Sequence, residues 1–230
     1  MNINTKRLLK DIKELRDKPI DNIYYIENEE NIYLGYSMII GPINTPYENG
    51  FYFFDFIFPE NYPFSPPKVI FKNYDGVTRF NPNFYINGRV CLSILNTWPG
   101  DKWSACQSLK SILLILSTVL NDKPLLNEPN IYQSHKDFTN YNNIIKFKNY
   151  EICILKYLDS NNLEEKYKEF HPIICKFFKK NYNEIIEKIK DYNDPFIIKT
   201  SIYDMNITIN YKKIYNLLKI FYNEMNKIDL

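Results

Sequence analysis

RFNPNFYINGRVCLSIL, residues 79–95, is the stretch on which the reading of this chain turns. It opens on an Asn81-Pro82-Asn83 turn, carries a second turn at Asn87-Gly88, and then presents Val90-Cys91-Leu92. No long helical or strand period is visible from Asn73 to Gly100. An irregular segment inside a packed domain is more often functional than connecting. The two turns place the Cys91 thiol on a surface stretch, which sets it apart from the other cysteines, 106, 153 and 175.

Upstream, PENYPFSPP (59–67) holds four prolines. Each removes a backbone donor, so this is an extended surface loop and not a central strand. From Ile20 to Phe71, β-branched and aromatic runs alternate with the turn signals Gly41-Pro42, Thr45-Pro46 and Asn49-Gly50. They predict an antiparallel meander of three or four strands. The first segment offers Thr5 as an N-cap, with Leu8, Leu9, Ile12 and Leu15 at helical spacing and Lys6, Arg7, Lys10 and Lys13 mostly opposite. It reads as an amphipathic helix with a basic outer face.

Downstream, Ser104 is a cap candidate for a helix over Gln107 to Asn121, whose stripe Leu109, Ile112, Leu113, Leu116 and Leu120 faces a core. KPLLNEPN (123–130) is a loop, and helices are predicted over 140–158 and 163–190. Asp194-Pro195 breaks the pattern before a last amphipathic helix through Tyr211 to Asn226. Its stripe Ile214, Leu217, Leu218 and Phe221 suits packing on the core or docking of a partner.

With 230 residues the chain holds one domain of about 150 residues and an appendage. Apolar residues make up 45% and aromatics 17%, which excludes disorder. The 29 basic and 27 acidic residues leave +2, without the strongly basic profile of a nucleic-acid binder. No run approaches the ~20 apolar residues that cross a bilayer, and MNINTKRLLKDIKEL is charged, unlike a signal peptide. The expectation is a soluble, cytoplasmic protein, with the nucleus open. The four cysteines form no CxxC pair and have no histidine cluster near them, which indicates neither a metal site nor a disulfide framework. Cys153 and Cys175 sit in apolar helical patterns, the setting of buried inert thiols.

In this order and spacing the pieces resemble the ubiquitin-conjugating enzyme family. The likeness rests on the basic first helix, GPINTPYENGFYFF (41–54), YPFSPPKV (62–69), the Asn-Pro-Asn turn followed by Cys91, and Trp103-Ser104 with the helix after it. It is closest to a long-tailed branch, the Z type, through NPN where His-Pro-Asn is usual, VCLSIL followed by TWPGDKW, NEP at 127–129, and Asn193-Asp194-Pro195-Phe196 in the tail. The resemblance implies an α+β ubiquitin-conjugating (UBC) fold. Its parts are an N-terminal helix, a four-stranded antiparallel meander, a central helix and C-terminal helices. A catalytic core at 1–158 and a helical extension at 159–230, packed on or beside it, are expected.

The implied activity is thioester exchange followed by transfer to lysine. Cys91 takes ubiquitin, or a ubiquitin-like modifier, from an activating enzyme, canonical or noncanonical, and passes it to a protein substrate, usually with a ligase. An acyl group that is already activated needs a thiolate but no histidine base; His135 and His171 are assigned to structure or surface. ATP is used by the activating enzyme, so no cofactor is expected here. Asn83 matches the family's oxyanion-stabilising asparagine, with hydrogen bonding to its own loop as the other reading. Glu128 matches an acidic position beside the incoming lysine, against a solvated loop glutamate. Lys6, Arg7 and Lys10 match the first-helix contacts with the activating enzyme, or an ordinary solvated face. Phe64 matches the ligase-contact aromatic, or a cap over the core. Ser104 and Ala105 match the second ligase loop, which without its usual proline lacks stiffness. Asn81, standing where histidine is usual, is expected to loosen the turn, and the TWPGDK stretch to form a lip beside the thiol. Two rivals stand beside this reading: a catalytically weak modifier-binding adaptor of the same fold, against which the retained Cys91 argues, and a cysteine protease, which would want a Cys-His pair.

Overall fold

Apolar side chains on both faces turn residues 23–71 into a sheet buried from two sides. The computed structural model describes residues 3–192 and 195–228. Its sheet comprises β1 (Ile23–Glu27), β2 (Leu34–Ile40), β3 (Phe51–Ile57) and β4 (Lys68–Phe71), antiparallel in the order β1-β2-β3-β4. Pairing places Ile39 opposite Tyr52 and Phe54 opposite Phe71 on one face, and Met38 opposite Phe53 and Tyr36 opposite Asp55 on the other. Strand side chains alternate, so each face needs its own cover.

The first face packs on α1 (Ile3–Asp17) and α2 (Leu109–Val119), through Ile12, Ile23, Tyr25 and Leu113. Thr5 is not the N-cap: it lies inside α1 and bonds the Tyr33 hydroxyl at 2.9 Å. Nor does Ser104 cap the central helix. Ser108 does, accepting from the Ser111 amide while the Ser111 hydroxyl accepts from the Ser108 amide. This reciprocal box satisfies two helix-end donors and contributes about 1 kcal/mol.

The second face is covered by the later part of the chain. α3 (Phe138–Lys148) continues through a π-helical stretch, Asn149–Leu155, into α4 (Lys156–Leu158). The segment predicted as helix from 163 is 3-10 turn over Glu165–Phe170, and α5 (His171–Glu187) starts only at His171. Pro172 accounts for the delay, since proline suits a first turn and interrupts a helix arriving from before it. Phe53 meets Tyr157, Tyr167 and Phe170 at ring-centroid distances of 4.8, 4.7 and 6.1 Å, and Phe51 meets Phe177 at 5.8 Å. Asp55 accepts from Lys166 at 2.6 Å and from the Tyr167 hydroxyl.

Beyond α5 the chain forms a hairpin absent from the helical expectation, β5 (Phe196–Lys199) with β6 (Asn206–Ile209). Ile198, Ile207 and Ile209 alternate inward, a period-2 signal overshadowed by the helical patterns around it. Asp194, half of the predicted Asp-Pro break, lies outside the described residues. α6 (Tyr211–Ile228) then returns along α5, with Tyr182 and Tyr222 stacked at 3.7 Å and with Ile214 and Leu218 buried.

Candidate functional site

Cys91 is held by the turn that precedes it. Its amide donates to the Asn83 carbonyl at 2.8 Å, and the Asn83 side-chain amide donates to the Cys91 carbonyl at 2.7 Å. Gly88 is required just before, because its φ of +84° is a left-handed conformation and a Cβ there would stand 2.9 Å from the Phe71 carbonyl. After the cysteine, the Thr97 hydroxyl accepts from the Leu92 amide and donates to the Val90 carbonyl, each at 2.9 Å. The chain thereby folds back and sets Trp98 beside the thiol.

The surface placement of Cys91 is corrected by the structure: the residue is only 3% exposed. It lies in a narrow cleft lined by Pro82, Asn83, Tyr85, Trp98, Glu128 and Pro129, with a free volume of about 10 Å³. That is about the space one water needs. The turns bring the thiol to the outside of the core, but Trp98 and the Glu128-Pro129 segment rise around it.

Asn81 does not loosen the turn. Fully buried, it donates to the Tyr47 hydroxyl at 2.8 Å and the Val119 carbonyl at 3.0 Å, and accepts from the Asn83 amide at 2.9 Å and from Asn127 at 3.3 Å. A side chain with both an acceptor and a two-hydrogen donor can tie the cysteine turn, the end of α2 and the Asn127-Glu128 segment together. Glu128 is not a freely solvated loop carboxylate either, since it accepts the hydroxyl of Tyr203 from the far end of the chain.

Arg7 is withdrawn from the outward basic set. Its guanidinium binds Asp11 at 2.8 Å and donates to the carbonyls of Ala105 at 3.0 Å and Gln107 at 2.7 Å. Burial works against its charge, but the bond and attraction to Asp11 prevail and raise its pKa. Lys6 and Lys10 remain exposed. The same bonds correct the expectation of a slack 104–107 loop. Arg7 and the Gln107 side chain, which accepts from the Ser104 amide at 3.1 Å, brace it where proline is missing. Phe64 is 70% exposed at the tip of the proline loop and caps nothing.

The remaining thiols separate by surroundings. Cys106 is exposed. Burial pushes the thiols of Cys153 and Cys175 up, most for the fully enclosed Cys153. A Cys-His pair does exist at Cys175 and His171, with Sγ 3.5 Å from Nε2. Nε2 is engaged with the Leu158 carbonyl at 3.0 Å, and a carbonyl only accepts, so Nε2 donates and the nitrogen left to accept, Nδ1, stands farther from the thiol at 3.8 Å. Among the described residues no group of three or more His, Cys, Asp or Glu could hold a metal ion, and no helix is long and apolar enough to cross a membrane.

A family model described as ubiquitin-conjugating enzyme matches residues 7–149. The chain belongs to the ubiquitin-conjugating enzyme family. Ubiquitin-conjugating enzyme E2 Z of Xenopus tropicalis is 34% identical over 185 residues, covering 74% of this chain and 59% of that protein. Its human counterpart is 33% identical over 185 residues, covering 74% and 52%. The chain thus spans a little over half the length of these relatives. The solved structure of human ubiquitin-conjugating enzyme E2 G1 aligns with 51% of this chain and 94% of its own, at a TM-score of 0.46 and 28% identity. Within the family's core, Cys91, Asn83 and Glu128 meet at one cleft, and Lys6, Lys10, Phe64 and Ser104 do not line it. Trp98 and Tyr85 also line the cleft, and Tyr203 reaches its rim through Glu128. The lip was legible as an insertion, but nothing in the sequence ties Tyr203 to a glutamate 75 positions away.

Proposed function

We propose that this chain carries ubiquitin, or a ubiquitin-like modifier, as a thioester on Cys91 and transfers it to lysine. One observation carries the reading: of the four thiols, Cys91 alone stands in a cleft between a side-chain amide, Asn83, and a carboxylate, Glu128. In loading, the Cys91 thiolate attacks the modifier's thioester on the activating enzyme. A new C–S bond forms, and the activating enzyme's sulfur leaves as thiolate. ATP has been spent before this exchange, so the chain needs no cofactor of its own.

In discharge the lysine nitrogen bonds the carbonyl carbon and the Cys91 C–S bond breaks. An ammonium and the thioester become an amide, the Cys91 thiolate and two protons taken by water. Asn83 holds the reacting residue's backbone and offers the neutral donor suited to the growing oxyanion. Glu128 supplies the anion that holds the approaching ammonium. Lys6 and Lys10 meet the activating enzyme, and Phe64 with the braced Ser104-Ala105 loop meets a ligase. Residues 1–158 form the conjugating core and 159–230 an extension that completes its cover.

Incubation with ATP, ubiquitin and, in separate reactions, the canonical and the noncanonical activating enzyme tests this. A reducible adduct is expected, lost in Cys91→Ser and kept in Cys106→Ser. No adduct with either enzyme, or one that follows Cys106, would sink the proposal.

A further inference from the structure

Tyr203 has an address that its surroundings hold firmly. The hairpin tip is clasped by Asp137, whose Oδ2 accepts from the Ser201 amide at 2.9 Å, the Ser201 hydroxyl at 2.6 Å and the Ile202 amide at 2.9 Å. The chain then makes a left-handed step through Tyr203, φ 60°, and Asp204, φ 49°. Such φ values are uncommon for a bulky residue and persist where the surroundings enforce them. The Tyr203 ring lies 6.0 Å from that of Tyr141 and 5.1 Å from the Arg79 guanidinium carbon. Arg79 also lies 3.4 Å over the Tyr85 ring and donates to the carbonyls of Asn81 at 3.2 Å and Pro82 at 2.8 Å, within the turn that carries Asn83.

The hydroxyl at the end of this arrangement donates to Glu128 Oε2. Burial first, and then the Glu128 carboxylate it contacts, push the Tyr203 pKa well up, so the phenol stays a donor. Glu128 Oε1 is not used by that bond. A donor on one oxygen restricts the carboxylate's rotation.

We propose that Tyr203 is a positioning residue for transfer to lysine: the extension's hairpin delivers its hydroxyl to one oxygen of Glu128, a residue that lines the cleft, and leaves the other oxygen to hold the substrate ammonium. This rests on the reading of Cys91 as acyl carrier. The extension thereby contributes to the second half-reaction, aminolysis, in which the lysine nitrogen takes the acyl carbon from Cys91 sulfur as described above. Loading, which brings no ammonium to the cleft, makes no use of this contact.

Single-turnover discharge to free L-lysine over a range of lysine concentrations and pH, after loading is quenched, is the test. The whole chain is used, with Tyr203→Phe, Glu128→Gln and the double variant. Tyr203→Phe keeps the ring against Arg79 and Tyr141 and removes only the donor. The expected result is a fall of about threefold to tenfold in discharge relative to loading, the scale of one hydrogen bond. The fall is expressed as a higher half-saturating lysine concentration more than a lower limiting rate. The double variant should be no slower than Glu128→Gln, since both changes act through one carboxylate. Equal or faster discharge by Tyr203→Phe, or losses that multiply in the double variant, would overturn the proposal. If the wild-type chain forms no adduct, the acyl-carrier reading falls and takes this one with it; a normal adduct with unchanged Tyr203→Phe discharge overturns this one alone.

Discussion

The cleft around Cys91 has two walls made in different ways. One is mostly local: within residues 81–98, Asn83 bonds Asn81 and Cys91, Thr97 bonds Leu92 and Val90, and Trp98 follows beside the thiol. The other joins Glu128 to Tyr203 and depends on Asp137 grasping residues 201 and 202. Local closure costs little chain entropy, whereas the second wall holds only while the whole extension is docked. Damage to the first wall should therefore alter chemistry with a modest effect on the fold, and damage to the second should link catalysis to docking.

The sharpest break is Cys91→Lys, which should trade the reducible adduct for a slow amide-linked one that survives reducing agent on gels. Next comes Asn83→Ala, expected to slow discharge about 10- to 100-fold, while urea denaturation shows a loss of about 1 kcal/mol. A variant that discharges normally would reduce Asn83 to a loop fastener. Trp98→Ala should raise the rate of Cys91 alkylation by iodoacetamide several-fold, read by mass spectrometry of the tryptic peptide in a Cys106→Ser background. No change would mean that the Glu128 side alone shields the thiol.

The smallest effect should come from the clasp. Burial works against the Asp137 charge, but the bonds from Ser201 and Ile202 outweigh it and hold its pKa below the usual carboxylate value. A folded pKa below the unfolded one stabilises above the ordinary carboxylate range, and the benefit disappears as pH falls through the lowered value. Asp137→Asn should cost about 1 kcal/mol at neutral pH, and its gap from wild type in melting experiments should narrow on acidification. A gap that stays constant would remove the charge from the explanation.

The same division governs what could be read from the sequence. The meander, the central stripe from Leu109 to Leu120 and the cysteine turn follow from period, proline and turn residues, which act over a few positions. A basic residue on an amphipathic helix looks outward by period alone, whereas the partners of Arg7 at Ala105 and Gln107 are set by the fold. Ser104 and Ser108 offer equivalent chemistry for a cap, and only Ser111 decides between them. Cys91 appeared exposed because turns usually are, and its cover comes partly from Glu128 and Pro129, beyond the helix that follows it. The hairpin at 196–209 lies between helical patterns that mask its period, and with it Tyr203, which reaches the cleft's rim through Glu128.

The sheet's second cover also sets a schedule for synthesis. A ribosome releases β1 to β4 long before it has made Tyr167, Phe170 and Phe177, the rings that close over Phe51 and Phe53. Until then the nascent chain carries a wet aromatic face of the kind that chaperones bind and that drives aggregation. Quality control would therefore meet a product truncated before these rings as a sticky intermediate.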